Sequence, residues 1–243
     1  MQGTGLDLGL SRAVAPVTVG SLFREQVLLG GARPALAEGS RIWSYAQLND
    51  RVNQLVHVLA SHGIRRGDRI AVLSENRHEY LEAVLASAKL GVLVGCQNWR
   101  QSNAELLHCL ELADPKLVLC SERLAPALGR LDLAIPSRIC FGAEYEKALA
   151  RAATGEPPEV ADPEDGLIII YTSGTTGLPK AAVISQRVRR ENMEILTFIS
   201  LWRIWFDGSG RRDGYATHFG EGMNIERGMP PIARSSNRCS QRS

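Results

Sequence analysis

No uninterrupted apolar run in this 243-residue chain approaches the roughly 20 residues that a membrane-crossing helix needs. A helical membrane span is therefore not expected. Charge of one sign is also in short supply: the formal net charge is +2 and charged residues make up 22%. That balance is ordinary for a globular domain and lacks the strong basic excess of a dedicated nucleic-acid binder. Cysteine is scarce, with five residues, Cys96, Cys109, Cys120, Cys140 and Cys239, an odd number with no CxxC spacing. This argues against a zinc site or disulfide framework and for free thiols in a reducing compartment. The histidines, His57, His62, His78, His108 and His218, show no HExxH or comparable ligand spacing. They read as surface or packed side chains, and no metal site is expected.

The start, Met1-Gln2-Gly3-Thr4-Gly5, lacks a basic stretch followed by an apolar core, so it does not read as a signal peptide. Gly3, Gly5 and Gly9 do not fit GxGxxG. Residues 1–16 are expected to be a flexible leader, and the protein to be cytoplasmic. We find no internal repeat.

With 44% hydrophobic residues, the chain can bury the core of one large domain or two small ones. From Ser44 onward helical and strand patterns alternate. Ser44 and Gln47 stand at capping-box spacing, and Leu48, Val52, Leu55, Val56 and Leu59 then share one helical face. Gly63 sits where a left-handed helix end is wanted. Ile70 to Leu73 reads as a buried strand, Tyr80 to Ala88 as a helix ended near Gly91, and Val92 to Val94 as a short strand. Ser102 and Glu105 form a second capping box, and Pro115 stops the helix that follows. Leu117 to Leu119 and Ser137 to Phe141 read as further strands. The alternation predicts an α/β fold with a largely parallel sheet and flanking helices.

Residues 151–165 form a Pro- and acid-rich connection leading into Leu167-Ile168-Ile169-Ile170-Tyr171. That run is apolar on both faces, as a central strand should be. A glycine- and hydroxyl-rich loop follows at once. Gly174 and Gly177 let backbone N–H groups close on phosphate oxygens. Thr172, Ser173, Thr175 and Thr176 can donate hydroxyl hydrogen bonds. Lys180 brings a positive charge after the stiff turn at Pro179. Together they suit a polyphosphate; the alternative is a tight turn with solvated hydroxyls. The loop is not a Walker A sequence, because Leu178 stands where the lysine would be.

The complete string Tyr171-Thr172-Ser173-Gly174-Thr175-Thr176-Gly177-Leu178-Pro179-Lys180 resembles the signature of the adenylate-forming superfamily. That superfamily holds acyl-CoA and aryl-CoA ligases, luciferases and the adenylation domains of peptide synthetases. Upstream, Trp43-Ser44-Tyr45-Ala46-Gln47-Leu48, Arg66-Gly67-Asp68-Arg69-Ile70-Ala71-Val72, Glu75-Asn76-Arg77-His78-Glu79 and Asn98-Trp99-Arg100 are similar to strings of the same family. The resemblance runs from about Val17 to Arg187; of these strings, Asp68 reads as a residue that orders a turn. It implies ATP-dependent coupling of a carboxylic acid to the α-phosphate, then attack by the thiol of coenzyme A. Thr172, Ser173, Gly174, Thr175, Thr176, Gly177 and Lys180 would hold the β- and γ-phosphates with Mg²⁺. The loop is shared by acyl-CoA ligases, aryl-CoA ligases and peptide-synthetase domains, and the acyl pocket of the family lies beyond it.

Ala181 stands where the family usually has glycine, and Ser185-Gln186-Arg187 replaces S-H-R. The G-Y-G-x-T-E string, which in the family contacts adenine and supplies a Mg²⁺-binding Glu, is absent; Gly214-Tyr215-Ala216-Thr217-His218 is only an echo of it. The Y-x-T-G-D string and the lid with its adenylation lysine are also absent, so no catalytic residue is assigned. Residues 190–243 contain eight arginines, six acids and no lysine. Ile195, Phe198, Ile199, Trp202, Trp205 and Phe206 fall at helical spacing there. The expectation is residues 17–189 as the N-terminal part of an incomplete ligase domain, the alternative being a non-catalytic remnant with at most weak phosphate binding, and 190–243 as a divergent tail with one amphipathic helix and a disordered ending.

Overall fold

The computed structural model describes residues 17–172 and 178–187. The leader, loop residues 173–177 and the tail, and the expectations attached to them, lie outside the described residues.

The chain opens with helix α1 (Val19–Gly30), whose N-cap Thr18 accepts from the backbone N–H of Ser21 at 2.9 Å. A hairpin of β1 (Pro34–Glu38) and β2 (Arg41–Ser44) follows, with Gly39 at φ +57° in its turn. Neither the helix nor the hairpin was expected from the sequence. Helix α2 (Tyr45–Ser61) starts on the capping box foreseen at Ser44: the Gln47 N–H donates to Ser44 Oγ, and the Ser44 N–H donates to Gln47 Oε1. Gly63, at φ +76°, lies just beyond its end.

Strand β3 (Arg69–Leu73), helix α3 (His78–Leu90), strand β4 (Leu93–Gln97), helix α4 (Asn103–Ala113) and strand β5 (Leu117–Cys120) then alternate. Gly91 takes φ +68° at the end of α3, and a Cβ there would lie 2.8 Å from Cγ of Arg66. Helix α4 begins on the second capping box, Ser102 with Glu105, and ends at Asp114 just before Pro115. Asp68 orders its turn by accepting from the Arg65 N–H at 2.8 Å, and also pairs with Lys116. Helix α5 (Ala125–Leu128), strand β6 (Arg138–Cys140), helix α6 (Ala143–Ala150) and strands β7 (Gly166–Thr172) and β8 (Lys180–Ser185) complete the order. The sequence pattern shows no trace of α5, α6 or β8.

The main sheet has the strand order β6-β5-β3-β4-β7-β8. Every neighbouring pair is parallel except β7 with β8. This is the expected α/β architecture, a mostly parallel sheet between helices. Alternate side chains of β3 and β5 serve opposite faces, as the two-residue period of a strand requires. Ile70, Val72, Leu117 and Leu119 join the core with α2 and α3, while Ala71, Leu73, Val118 and Cys120 pack with Leu106 and Leu110 of α4.

The acid-rich connection is pinned down. The buried ammonium of Lys89 donates to Asn49 Oδ1 and Asn53 Oδ1, both at 2.7 Å, and to Glu156 Oε1 at 2.6 Å. Arg66 grips Asp165 through two hydrogen bonds of 2.8 and 2.9 Å. The acidic connection ahead of β7 is thus fastened to α2, α3 and the turn before β3.

Candidate functional site

Strand β7 carries the loop outward at its carboxyl end, the side of a parallel sheet where ligands of open α/β folds bind. The chain then returns antiparallel as β8, so that Thr172 and Lys180 are register partners across the loop. The Thr172 hydroxyl lies 3.5 Å from the Lys180 carbonyl oxygen. Both residues are exposed. Lys180 has no ion-pair partner among the described residues. Of the loop residues singled out in the sequence, these two are described; Ser173, Gly174, Thr175, Thr176 and Gly177 are not.

Helix α4 touches both ends of the loop. Before it, the Tyr171 hydroxyl donates to the carbonyl oxygen of Cys109 at 2.9 Å and accepts from Gln97 Nε2 at 2.9 Å. Burial pushes the Tyr171 phenol up to about 12, with the Gln97 hydrogen bond acting the other way. The phenol therefore keeps the proton it donates. After the loop, His108 Nε2 lies 3.0 Å from the Pro179 carbonyl oxygen. A carbonyl only accepts, so the ring donates from Nε2. An open cleft lined by His108, Leu112, Leu178, Pro179, Lys180 and Ala181 lies alongside.

Gly95 on β4 permits this arrangement. A Cβ there would lie 3.1 Å from Tyr171 Oη and 3.1 Å from Gln97 Nε2. His108, Gln97 and Gly95 were not singled out in the sequence. His108 stands in an amphipathic helix with no local motif, and its partner is 71 residues away. Asn98-Trp99-Arg100 leaves the same edge of the sheet at the end of β4, where the Trp99 ring packs against the guanidinium groups of Arg100 and Arg123.

Glu38, His78 and Glu79 form a second polar cluster, their ligand-capable atoms within 4.8 Å of one another. Arg77 already donates to both carboxylate oxygens of Glu79, at 3.1 and 2.7 Å. His78 Nδ1 is engaged by Glu38 at 2.8 Å, and its ring stacks on Trp43. Through the Glu38–His78 contacts the cluster ties the hairpin to the start of α3.

A family model described as AMP-binding enzyme matches residues 23–208. The chain belongs to that family. A fatty acid–[acyl-carrier-protein] ligase of Streptomyces coeruleorubidus is 31% identical over 156 residues, which cover 63% of this chain and 30% of that protein. A medium/long-chain-fatty-acid–CoA ligase of Mycobacterium tuberculosis is 29% identical over 188 residues, 75% of this chain and 31% of that enzyme. The crystal structure of an inhibitor-bound N-terminal domain of FACL13 from Mycobacterium tuberculosis superposes with a TM-score of 0.65 at 30% identity. It covers 70% of this chain and 44% of that one. The fold is thus that of part of the N-terminal domain of adenylate-forming enzymes, and the chain spans about a third of the length of these curated ligases. Among the described residues no helix is long and apolar enough to cross a membrane.

Proposed function

We propose that this AMP-binding family chain carries the phosphate-holding part of an ATP-dependent acid–CoA ligase, and that residues 172–180 are its polyphosphate site. The observation that carries the reading is the exposed Lys180, without an ion-pair partner among the described residues, opposite Thr172 at the carboxyl end of β7, on a loop whose two ends are fixed by α4. A cation without a competing ion pair among the described residues, beside a threonine hydroxyl, fits a phosphate chain. Thr172, Ser173, Thr175 and Thr176 would donate hydroxyl hydrogen bonds, Gly174 and Gly177 backbone N–H groups, and Lys180 a full charge.

The chemistry follows from the electrophile. A carboxylate resists nucleophilic attack, so its oxygen is first joined to the α-phosphorus of ATP with pyrophosphate as leaving group. The coenzyme A thiol then displaces AMP. The loop would hold the leaving pyrophosphate portion, with Mg²⁺ sharing its charge, by positioning and electrostatic stabilisation. The activities of these two relatives favour a fatty acid as the carboxylic acid. Residues 17–189 act as the ligase-domain portion in this reading.

The strings that hold adenine and ribose in the family are absent from the 243 residues, so the chain by itself does not complete adenylation. Two measurements test the pair of claims. Phosphorus NMR of Mg-pyrophosphate should broaden on adding the chain. Acid-dependent exchange of labelled pyrophosphate into ATP should stay at background with short, medium and aromatic acids. An unperturbed pyrophosphate signal contradicts the phosphate site; robust exchange contradicts the incompleteness.

A further inference from the structure

Strands β5 and β6 bring two cysteines together at one edge of the sheet. Cys120 and Cys140 are register partners on these neighbouring parallel strands, and their Sγ atoms lie 3.6 Å apart. Register partners in adjacent strands present their side chains on the same face. The spacing between such strands, about 4.8 Å, falls within the Cα separation that a disulfide spans. Rotation about χ1 can therefore close the gap without moving the backbone far.

The two thiols differ in access. Cys120 is fully buried against Ala71, Leu73 and the apolar side of α4, whereas Cys140 is half-buried at the sheet edge. The two remaining described thiols are single. Cys96 interacts with Tyr80, and Cys109 accepts from Gln101 Nε2 at 3.3 Å.

We propose that Cys120 and Cys140 are an oxidisable dithiol, a modification site at which hydrogen peroxide forms an intrachain disulfide. The sulfur of Cys140, the less buried of the two residues, attacks a peroxide oxygen. The O–O bond breaks, giving Cys140 sulfenic acid and hydroxide, which takes the thiol proton and leaves as water. The Cys120 sulfur then attacks the Cys140 sulfur. The S–O bond breaks, and the departing hydroxide takes the Cys120 proton as a second water. Two thiols lose two electrons and two protons, and one peroxide becomes two waters. The small oxidant matters, because Cys140 is itself half-buried.

The bond would fasten β6, a three-residue strand at the edge of the sheet and paired, among the described residues, with β5 alone. Edge strands of this kind open readily, so a covalent tie should show in their amide exchange. The site is remote from the β7–β8 loop in strand order, and the inference stands whatever that loop binds.

The test treats the reduced full-length chain with stoichiometric hydrogen peroxide and maps its peptides by mass spectrometry. A Cys120–Cys140 linked peptide, lighter by two hydrogens and restored by a phosphine reductant, is expected. Amide exchange at Ile139–Phe141 should slow by about tenfold or more, on the scale of loop closure by a crosslink. In Cys120→Ser and Cys120→Ala the link disappears, and dimedone traps a sulfenic acid at Cys140. Oxidation of Cys140 to its sulfinic acid in the native chain without the link would overturn the proposal. So would linkage of either cysteine mainly to Cys96, Cys109 or Cys239.

Discussion

His108 donates from Nε2 to the carbonyl oxygen of Pro179 at 3.0 Å, and one residue further along α4 the Cys109 carbonyl accepts from Tyr171. One helix therefore holds the chain on both sides of the candidate phosphate loop. Fixed ends lower the cost of ordering a loop when its ligand binds.

If this clamp positions Lys180, His108→Ala should weaken Mg-pyrophosphate binding about 2- to 10-fold, the size of one lost hydrogen bond of ordinary strength. His108→Gln, which keeps an N–H donor, should recover part of the loss. Calorimetric titration of the three proteins checks this. Equal affinities in all three would show that the loop is ordered by other contacts.

The Lys89–Glu156 pair makes a separate claim about the fold. Lys89 is buried and Glu156 partly so, with side-chain exposures of 4% and 29%. Glu156→Ala leaves the ammonium with two amide oxygens and no counter-charge. We expect a loss of about 1–3 kcal/mol, less than for a fully buried pair because water reaches Glu156. Urea unfolding should show a lower midpoint at unchanged slope. An unchanged midpoint would mean that the Glu156 carboxylate contributes nothing to holding the helices.

The acid limb of stability follows from the same carboxylates. Burial pulls Glu156 upward, but hydrogen bonds from Lys89 and Asn49 and the Lys89 charge outweigh it, so its carboxyl lies below 4.5. The Arg66 hydrogen bonds lower Asp165, and the Arg51 hydrogen bonds lower Glu146. Groups depressed in the folded state bind protons more readily when unfolded. Their contribution is complete above the unfolded values, near 4, and is lost as pH falls through the folded ones. Stability measured by urea should stay level from about pH 7 to pH 5 as far as these groups decide it, and fall steadily below about 4.5. A profile level down to pH 3 would contradict this assignment.

Much of the architecture could be read from local signals. Both capping boxes were visible because their two partners stand three residues apart. The parallel strands announced themselves as short apolar runs between helices. What escaped depended on distant partners. Nothing in Lys180–Ser185 alternates, because four exposed residues of β8 are apolar or small, so its strand character comes from pairing with β7. Helix α6 was hidden by its charged residues, yet Tyr145 and Leu149 are buried in it. The candidate site divided in the same way. Its loop residues form one contiguous string, whereas His108 and Gln97 reach it only through the fold. The acidic connection looked like a linker because Lys89 and Arg66, its partners, lie 67 and 99 residues away.

The central claim is that residues 172–180 bind a polyphosphate through Lys180, the one full positive charge between Tyr171 and Lys180. The most direct measurement is calorimetry of Mg-pyrophosphate at low salt, where the electrostatic attraction is least screened, with the wild-type chain, Lys180→Ala and Lys180→Arg. A hydrogen bond to a charged group contributes about 1.5–3 kcal/mol, so Lys180→Ala should bind about 10- to 150-fold more weakly. Lys180→Arg should recover only part of this, since its planar fork is larger than the ammonium. Measurable binding of equal strength in wild type and Lys180→Ala would show that this loop is not the phosphate site.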